Sequence, residues 1–161
     1  MLRIGKIVKD SVVDGPGLRT VIFLAGCSHD PHCDGCHNQW LWPKEAGAGY
    51  FLDVLMADLE KHGINYNALT ISGGEPLDQY EDLLDALREL HARRLGKDIW
   101  LYTGYSWKEI NERFPLILNY VDTIVEGRFK RGNRDFNPKH FRGSKNQEVW
   151  KKDGISWKKV L

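Results

Sequence analysis

Three cysteines, Cys27, Cys33 and Cys36, lie in the run Gly26-Cys27-Ser-His-Asp-Pro-His-Cys33-Asp-Gly-Cys36-His37-Asn38, and the 161-residue chain has no others. Their C-x5-C-x2-C spacing on a polar, glycine-containing loop lets three thiolates converge. Clustered thiolates in a reducing compartment read as metal ligands. A disulfide framework fits poorly, because one pair would tie a tiny loop and leave the third thiol over. Two metal centres fit better. Zinc would complete a closed Cys3His tetrahedron with His29, His32 or His37. A four-iron, four-sulfur cubane would take the thiolates on three irons and leave the fourth without a protein ligand, unlike the usual four-cysteine electron-transfer cluster. An iron left open in this way can bind a substrate directly.

Such a loop needs strands to hold it. Residues 19–24, Arg-Thr-Val-Ile-Phe-Leu, form a β-branched and aromatic run between the Gly-Pro-Gly of 15–17 and Gly26, which predicts a buried strand ending just before the cysteines. Apolar residues at 51, 52, 54, 55 and 59 predict a helix over 51–62, with Gly63 as a left-handed cap. Residues 68–72 predict a second strand running straight into Gly73-Gly74-Glu75-Pro76, and Tyr80, Leu83, Leu84, Leu87 and Leu90 mark a second amphipathic helix. The pattern recurs with a strand at 99–102, the turn Thr103-Gly104-Tyr105, and a helix opened by Ser106 with Glu109 three residues on, a capping box. Residues 121–126 predict a further strand ending on Glu126. Strands alternating with helices predict an α/β fold with a parallel sheet and right-handed crossovers, whose sites gather at the strands' carboxyl ends. The cysteine loop, the two turns and Glu126 would then share one rim.

Each rim motif has a chemical and a plain reading. Paired glycines let backbone carbonyls approach a ligand, Glu75 offers an anion to an ammonium group and Pro76 stiffens the turn. An ordinary strand-to-helix turn has the same composition. Thr103, Gly104 and Tyr105 either line a ligand or cap the following helix, with Tyr105 packed as core. Glu126 either accepts hydroxyl donors through its lone pairs or ends a strand in solvent. The turn at 14–17 either helps orient Arg19 or simply reverses the chain.

Hydrophobic residues at 42% and charged residues at 28% predict one globular domain spanning 1–161. The formal net charge of +1 sets up no global field, yet residues 127–147 carry seven Lys or Arg against one acidic residue. An ordered but irregular segment is expected there. With Phe129, Phe136 and Phe141 interleaved but no nucleic-acid module, it reads as a protein-docking or cofactor-covering surface, with no nucleic-acid partner. No apolar run approaches the roughly eighteen residues that cross a bilayer, and the start lacks a signal-peptide core. A cytoplasmic location without a membrane partner is the expectation.

The cysteine loop, followed after the next strand by Gly73-Gly74-Glu75-Pro76, resembles the radical S-adenosylmethionine superfamily. A closer likeness spans most of the chain. Val13-Asp-Gly-Pro-Gly-Leu-Arg19, Gly26-Cys27, Trp100-Leu-Tyr-Thr-Gly-Tyr105, Val121-Asp-Thr-Ile-Val-Glu-Gly-Arg-Phe129 and Arg142-Gly-Ser-Lys-Asn-Gln147 make it similar to the activating components of anaerobic ribonucleoside-triphosphate reductases. The resemblance implies a single-domain incomplete parallel (β/α) barrel of the radical SAM type. It also implies one 4Fe-4S cluster on Cys27, Cys33 and Cys36, with S-adenosyl-L-methionine chelating the open iron through its amino and carboxylate groups. Gly73, Gly74, Glu75 and Pro76 would receive the amino group, Thr103, Gly104 and Tyr105 the adenosine moiety, and Glu126 the ribose hydroxyls.

An external donor such as flavodoxin or ferredoxin would supply one electron, and the resulting 5′-deoxyadenosyl radical would take hydrogen from a glycine of the reductase large subunit. Two rival readings stand beside this one. The first is a radical enzyme serving another glycyl-radical enzyme or a small molecule; the second is a zinc-stabilised interaction module without catalysis. Two departures from the family pattern are expected to leave marks. The family spaces its cysteines C-x3-C-x2-C, so two extra residues near Pro31 and His32 must bulge. Gly35 stands where many superfamily members set an aromatic ring against adenine, with His37 as a candidate substitute.

Overall fold

The computed structural model describes residues 1–61 and 68–161. Strands β1 (Leu2–Ser11) and β2 (Arg19–Leu24) come first, and after the cysteine loop follow β3 (Ala48–Tyr50) and helix α1 (Leu52–Lys61). Next come β4 (Ala68–Gly73), α2 (Tyr80–Ala92), β5 (Asp98–Thr103), α3 (Trp107–Arg113) and β6 (Thr123–Glu126). Strands β7 (Glu148–Asp153) and β8 (Ser156–Lys159) close the chain. All eight strands share one sheet in the order β3-β1-β2-β4-β5-β6-β7-β8.

Only the central four strands are parallel: β2 pairs with β4, β4 with β5 and β5 with β6. The flanks are antiparallel, β3 and β1 on one side and β7 and β8 on the other. The all-parallel sheet expected from the strand-helix alternation is therefore corrected to a mixed one. Strands β1, β7 and β8 belong to no strand-helix unit, and β3 is only three residues long, so the alternating pattern does not reveal them. Their hairpin is nonetheless written in the chain, since β7 and β8 join through Gly154 at φ +63°, the conformation a two-residue link requires.

The period of two sorts the strands' side chains onto two faces. Ile22, Leu24, Leu69, Ile71, Ile99 and Leu101 pack with Leu55, Met56 and Leu59 of α1 and Leu83, Leu87 and Leu90 of α2. Each leucine buried there stabilises the fold by about 2 kcal/mol. On α1 the stripe is shifted from expectation: Phe51 and Val54 are exposed, because the buried face runs through Leu55, Met56 and Leu59. That helix's predicted end at His62 and its Gly63 cap lie outside the described residues.

The opposite face is more polar. Arg19, wholly buried, donates from Nε to Thr70 Oγ1 (2.8 Å) and from Nη2 to the Leu69 and Asp98 carbonyls (2.9 Å each). Its Nη1 donates to the Asp98 carboxylate (2.7 Å) and the Pro16 carbonyl (3.1 Å). Thr70 in turn donates to the Asp14 carbonyl at 2.8 Å. A buried guanidinium is tolerated because its donors are paired, and here it ties the 14–17 turn to β4 and β5.

Segment 127–147 crosses this face as an irregular strap whose side chains replace ladder hydrogen bonds. Gln147 donates to the Gly127 carbonyl (2.9 Å) and accepts from the Gly143 and Ser144 amides (2.9 and 3.0 Å), while Tyr102 donates to the Phe141 carbonyl (2.6 Å). Arg142 and His140 bracket Asp135 at 2.6 and 2.8 Å and hold its carboxyl well below the usual carboxylate range. Among the described residues no helix is long and apolar enough to cross a membrane.

Candidate metal centre and cofactor cavity

The cysteine loop follows β2, the Gly73-Gly74 turn follows β4, and the Thr103-Gly104 turn follows β5, so three adjacent parallel strands deliver them to one rim. The Gly26 amide donates to the Leu41 carbonyl (2.7 Å) and the Cys27 amide to the Trp42 carbonyl (3.0 Å). Gly74 and Glu75 donate their amides to the carbonyls of Leu24 (2.9 Å) and Gly26 (2.7 Å), the backbone that leads into Cys27. A Cβ on Gly73 would overlap the Leu24 carbonyl and one on Gly74 the Gly26 carbonyl. The paired glycines are thus required by backbone packing under the cysteine loop.

Glu75 is fully buried and engaged on both oxygens. Oε1 accepts from the Leu77 amide (3.0 Å) and the Thr103 hydroxyl (2.7 Å); Oε2 accepts from the Gly104 amide (2.7 Å) and lies 2.9 Å from His29 Nε2. One carboxylate therefore clamps the cysteine loop, its own turn and the β5 turn together. Pro76 opens the short 3₁₀ turn behind it.

A cavity of about 490 Å³ opens at this rim. All three thiols line it, as do Gly73, Gly74, Glu75, Thr103 and Gly104. Pro76, Tyr105 and Glu126 do not. Tyr105 is core: its ring meets Phe114 at 5.1 Å and its hydroxyl donates to Asp78 at 3.1 Å. Glu126 shares its strand face with Ile124, which packs in the helix-side core, so its side chain points away from the cavity.

Burial, then the charge of Glu148 directly across the ladder, pushes the Glu126 carboxyl from 4.5 up to about 7. The folded state keeps a proton that the unfolded chain releases between those values, so stability declines as pH rises through that window. Glu126→Gln is expected to stabilise the chain by about 2 kcal/mol at about pH 8, allowing for solvent screening. The gain should vanish below pH 4.5, which urea unfolding at the two pH values checks.

Several cavity residues were not singled out from the sequence. Ser72 is a polar residue next to the glycine turn on a mostly apolar strand, a usable signal. Asn38 closes the cysteine motif, donating its amide to Cys36 Sγ and its side chain to the Gly73 carbonyl, each at 3.4 Å. Arg142 arrives from the strap beside Phe129 and Phe136, which the basic, aromatic composition does mark, and no local pattern announces where the strap crosses.

The thiols suit a polynuclear cluster. Each cysteine is partly exposed and all three line one cavity. Zinc needs its donors gathered within about 2.0–2.3 Å of one point. The histidines proposed as a fourth ligand have other partners: His29 meets Glu75, His32 Nε2 lies 3.1 Å from the Cys27 carbonyl, and His37 Nε2 lies 3.3 Å from Arg134. Burial, with the charges of Glu75 and Asp78, pushes the Cys27 thiol up to about 11.

The two extra loop residues find a packing solution. The His32 ring stacks on Trp42 at 4.0 Å while its Nε2 faces the Cys27 carbonyl, so the bulge braces Cys27 from outside. His32→Ala is expected to speed loss of iron to a chelator by roughly tenfold, the usual effect of removing a ligand's support. At Gly35 the backbone is left-handed (φ +69°), and a Cβ would overlap Arg131. An aromatic ring has no place there. His37 and Phe129 instead both line the cavity, 5.2 Å apart.

A family model described as a 4Fe-4S single cluster domain matches residues 13–150. Over 143 residues the chain is 35% identical to the anaerobic ribonucleoside-triphosphate reductase-activating protein of Salmonella typhi, covering 86% of this chain and 91% of that one. The chain belongs to the family of anaerobic ribonucleoside-triphosphate reductase-activating proteins. Its relative of that name in Enterobacteria phage T4 is 35% identical over 151 residues, 91% of this chain and 92% of the relative. The Escherichia coli K12 member is 33% identical over 143 residues, 86% and 91% of the two chains. The cluster-domain match within this family takes in the cysteine loop, both glycine turns and the strap.

Proposed function

We propose that this chain activates anaerobic ribonucleoside-triphosphate reductase by generating a glycyl radical on that enzyme's large subunit. It would do so through reductive cleavage of S-adenosyl-L-methionine at a 4Fe-4S cluster held by Cys27, Cys33 and Cys36. The observation that carries the reading is the shared cavity: three thiols and the Gly73-Gly74 turn face one space of about 490 Å³, within the range of small-molecule sites. Bound there, cluster and cofactor would supply one-electron reductive cleavage of a carbon–sulfur bond and the hydrogen-abstracting chemistry that acts on the glycine.

The chain's own residues bind, orient and shield. Gly73 and Gly74 bring backbone to the cavity wall beside the thiols, where the cofactor's amino group would sit. Glu75 holds that turn against Thr103 and Gly104, and Pro76 stiffens it from behind. Tyr105 anchors the β5 turn to the core rather than touching the cofactor, and the ring pair of His37 and Phe129 is offered to adenine. The strap covers the polar face and limits water. We read residues 1–161 as one cytoplasmic domain. Its four parallel strands with their helices form an incomplete barrel, whose open side admits a loop of the large subunit.

The test is electron paramagnetic resonance of the anaerobically reconstituted chain with the reductase large subunit, S-adenosylmethionine and dithionite. A glycyl signal that needs all four components, and fails when the target glycine is replaced, is the expected result. Formation of 5′-deoxyadenosine with no radical on the reductase would overturn the assigned substrate.

A further inference from the structure

We infer that the outer flank of the cysteine loop is a docking surface for an acidic one-electron donor protein, with Lys130, Arg131 and Arg134 as its cationic contacts. The inference rests on the thiols holding a redox cluster. The strap meets the loop at three points. Arg128 donates to the Pro31 carbonyl, Arg131 packs on Gly35, and Arg134 Nη2 lies 3.3 Å from His37 Nε2. Gly35 and His37 flank Cys36, so this cationic surface covers the chain next to a ligand. Lys130, Arg131 and Arg134 are exposed and stand outside the cavity lining, which leaves the cavity mouth to the substrate.

These three cations have no carboxylate partner among the described residues. Arg88, Arg93 and Arg142, by contrast, are each ion-paired. Because 127–147 holds seven basic residues and one acidic one in a chain of net charge +1, the rest of the chain is net acidic and the positive field is local. Uncompensated like charges gathered at one place steer a partner of opposite sign and set its orientation. Single-stranded nucleic acid is disfavoured because Phe129 and Phe141 are half-buried in the cavity lining, leaving Phe136 alone exposed beside Arg134, too few rings for a stacking platform. The transfer moves one electron from the reduced donor to the oxidised cluster, with no bond made or broken.

The probe is a reduced, acidic 2Fe-2S ferredoxin. Its affinity is measured by calorimetry on the metal-free and cluster-loaded chain, and its rate of cluster reduction by stopped-flow absorbance. The triple variant Lys130→Glu, Arg131→Glu, Arg134→Glu should weaken association and slow reduction by about 10- to 100-fold at low ionic strength, with the gap closing as salt rises. Its iron content and dithionite-driven 5′-deoxyadenosine formation should match the parent, and the triple Gln variant should fall between the two. A loaded parent whose ferredoxin binding and reduction are untouched by charge reversal overturns the inference alone. A parent that retains no iron–sulfur cluster overturns the proposed function and the inference with it.

Discussion

Single replacement of Cys27, Cys33 or Cys36 by alanine should yield a folded chain that retains no stable 4Fe-4S cluster and forms 5′-deoxyadenosine at least about 100-fold more slowly. The three thiols lie on a loop at the rim, partly exposed, and none belongs to the hydrophobic core. Their loss opens no core cavity, so the melting temperature of the metal-free variants should stay within a few degrees of the metal-free parent. Anaerobic iron and sulfide determination alongside thermal unfolding checks both halves. Activity that survives in any one variant would remove that cysteine from the ligand set.

Gly74→Ala is expected to be among the most damaging substitutions outside the three cysteines. Its Cβ would overlap the Gly26 carbonyl, with the Leu41 carbonyl 3.0 Å away, and neither backbone can yield without moving the cysteine loop. Overpacking of this kind costs at least about 3 kcal/mol, and the relief available is separation of the turn from the loop. Cluster retention should fall with stability. Gly132→Ala is the contrast, since a Cβ there meets nothing within 4 Å. Urea unfolding of both variants, with iron content measured on the same samples, separates a local steric demand from a general dislike of alanine for glycine.

How far the sequence reached depends on which signals are local. The strand at 19–24 coincides with β2, the Ser106-Glu109 capping box is present, and the cysteine loop and both glycine turns meet at one rim. These follow from short-range patterns: β-branched runs, glycine punctuation and cap chemistry. Glu126 ends its strand where the sequence places it, yet it does not line the cavity, because its parity along β6 is that of Ile124. Ile124 faces the helices, and a residue two positions on must do the same.

The work done by Glu75 could not be read from its motif, since its partners His29 and Thr103 lie 46 and 28 residues away. The same holds for the strap. Its composition marked it as unusual, but its path over Tyr102 is set by tertiary hydrogen bonds. The loop's two extra residues were legible as a bulge, and the His32–Trp42 stack that absorbs them was not.

The central claim is that three thiols hold a cluster whose open iron cleaves S-adenosylmethionine. Its most direct test is one anaerobic experiment: reconstitute the chain, determine iron, sulfide and zinc, reduce with dithionite in the presence of S-adenosylmethionine, and separate the products by chromatography. About four irons and four sulfides per chain, with 5′-deoxyadenosine and methionine formed in equal amounts only under reduction, is the predicted result. Stoichiometric tightly bound zinc with no 5′-deoxyadenosine would contradict it.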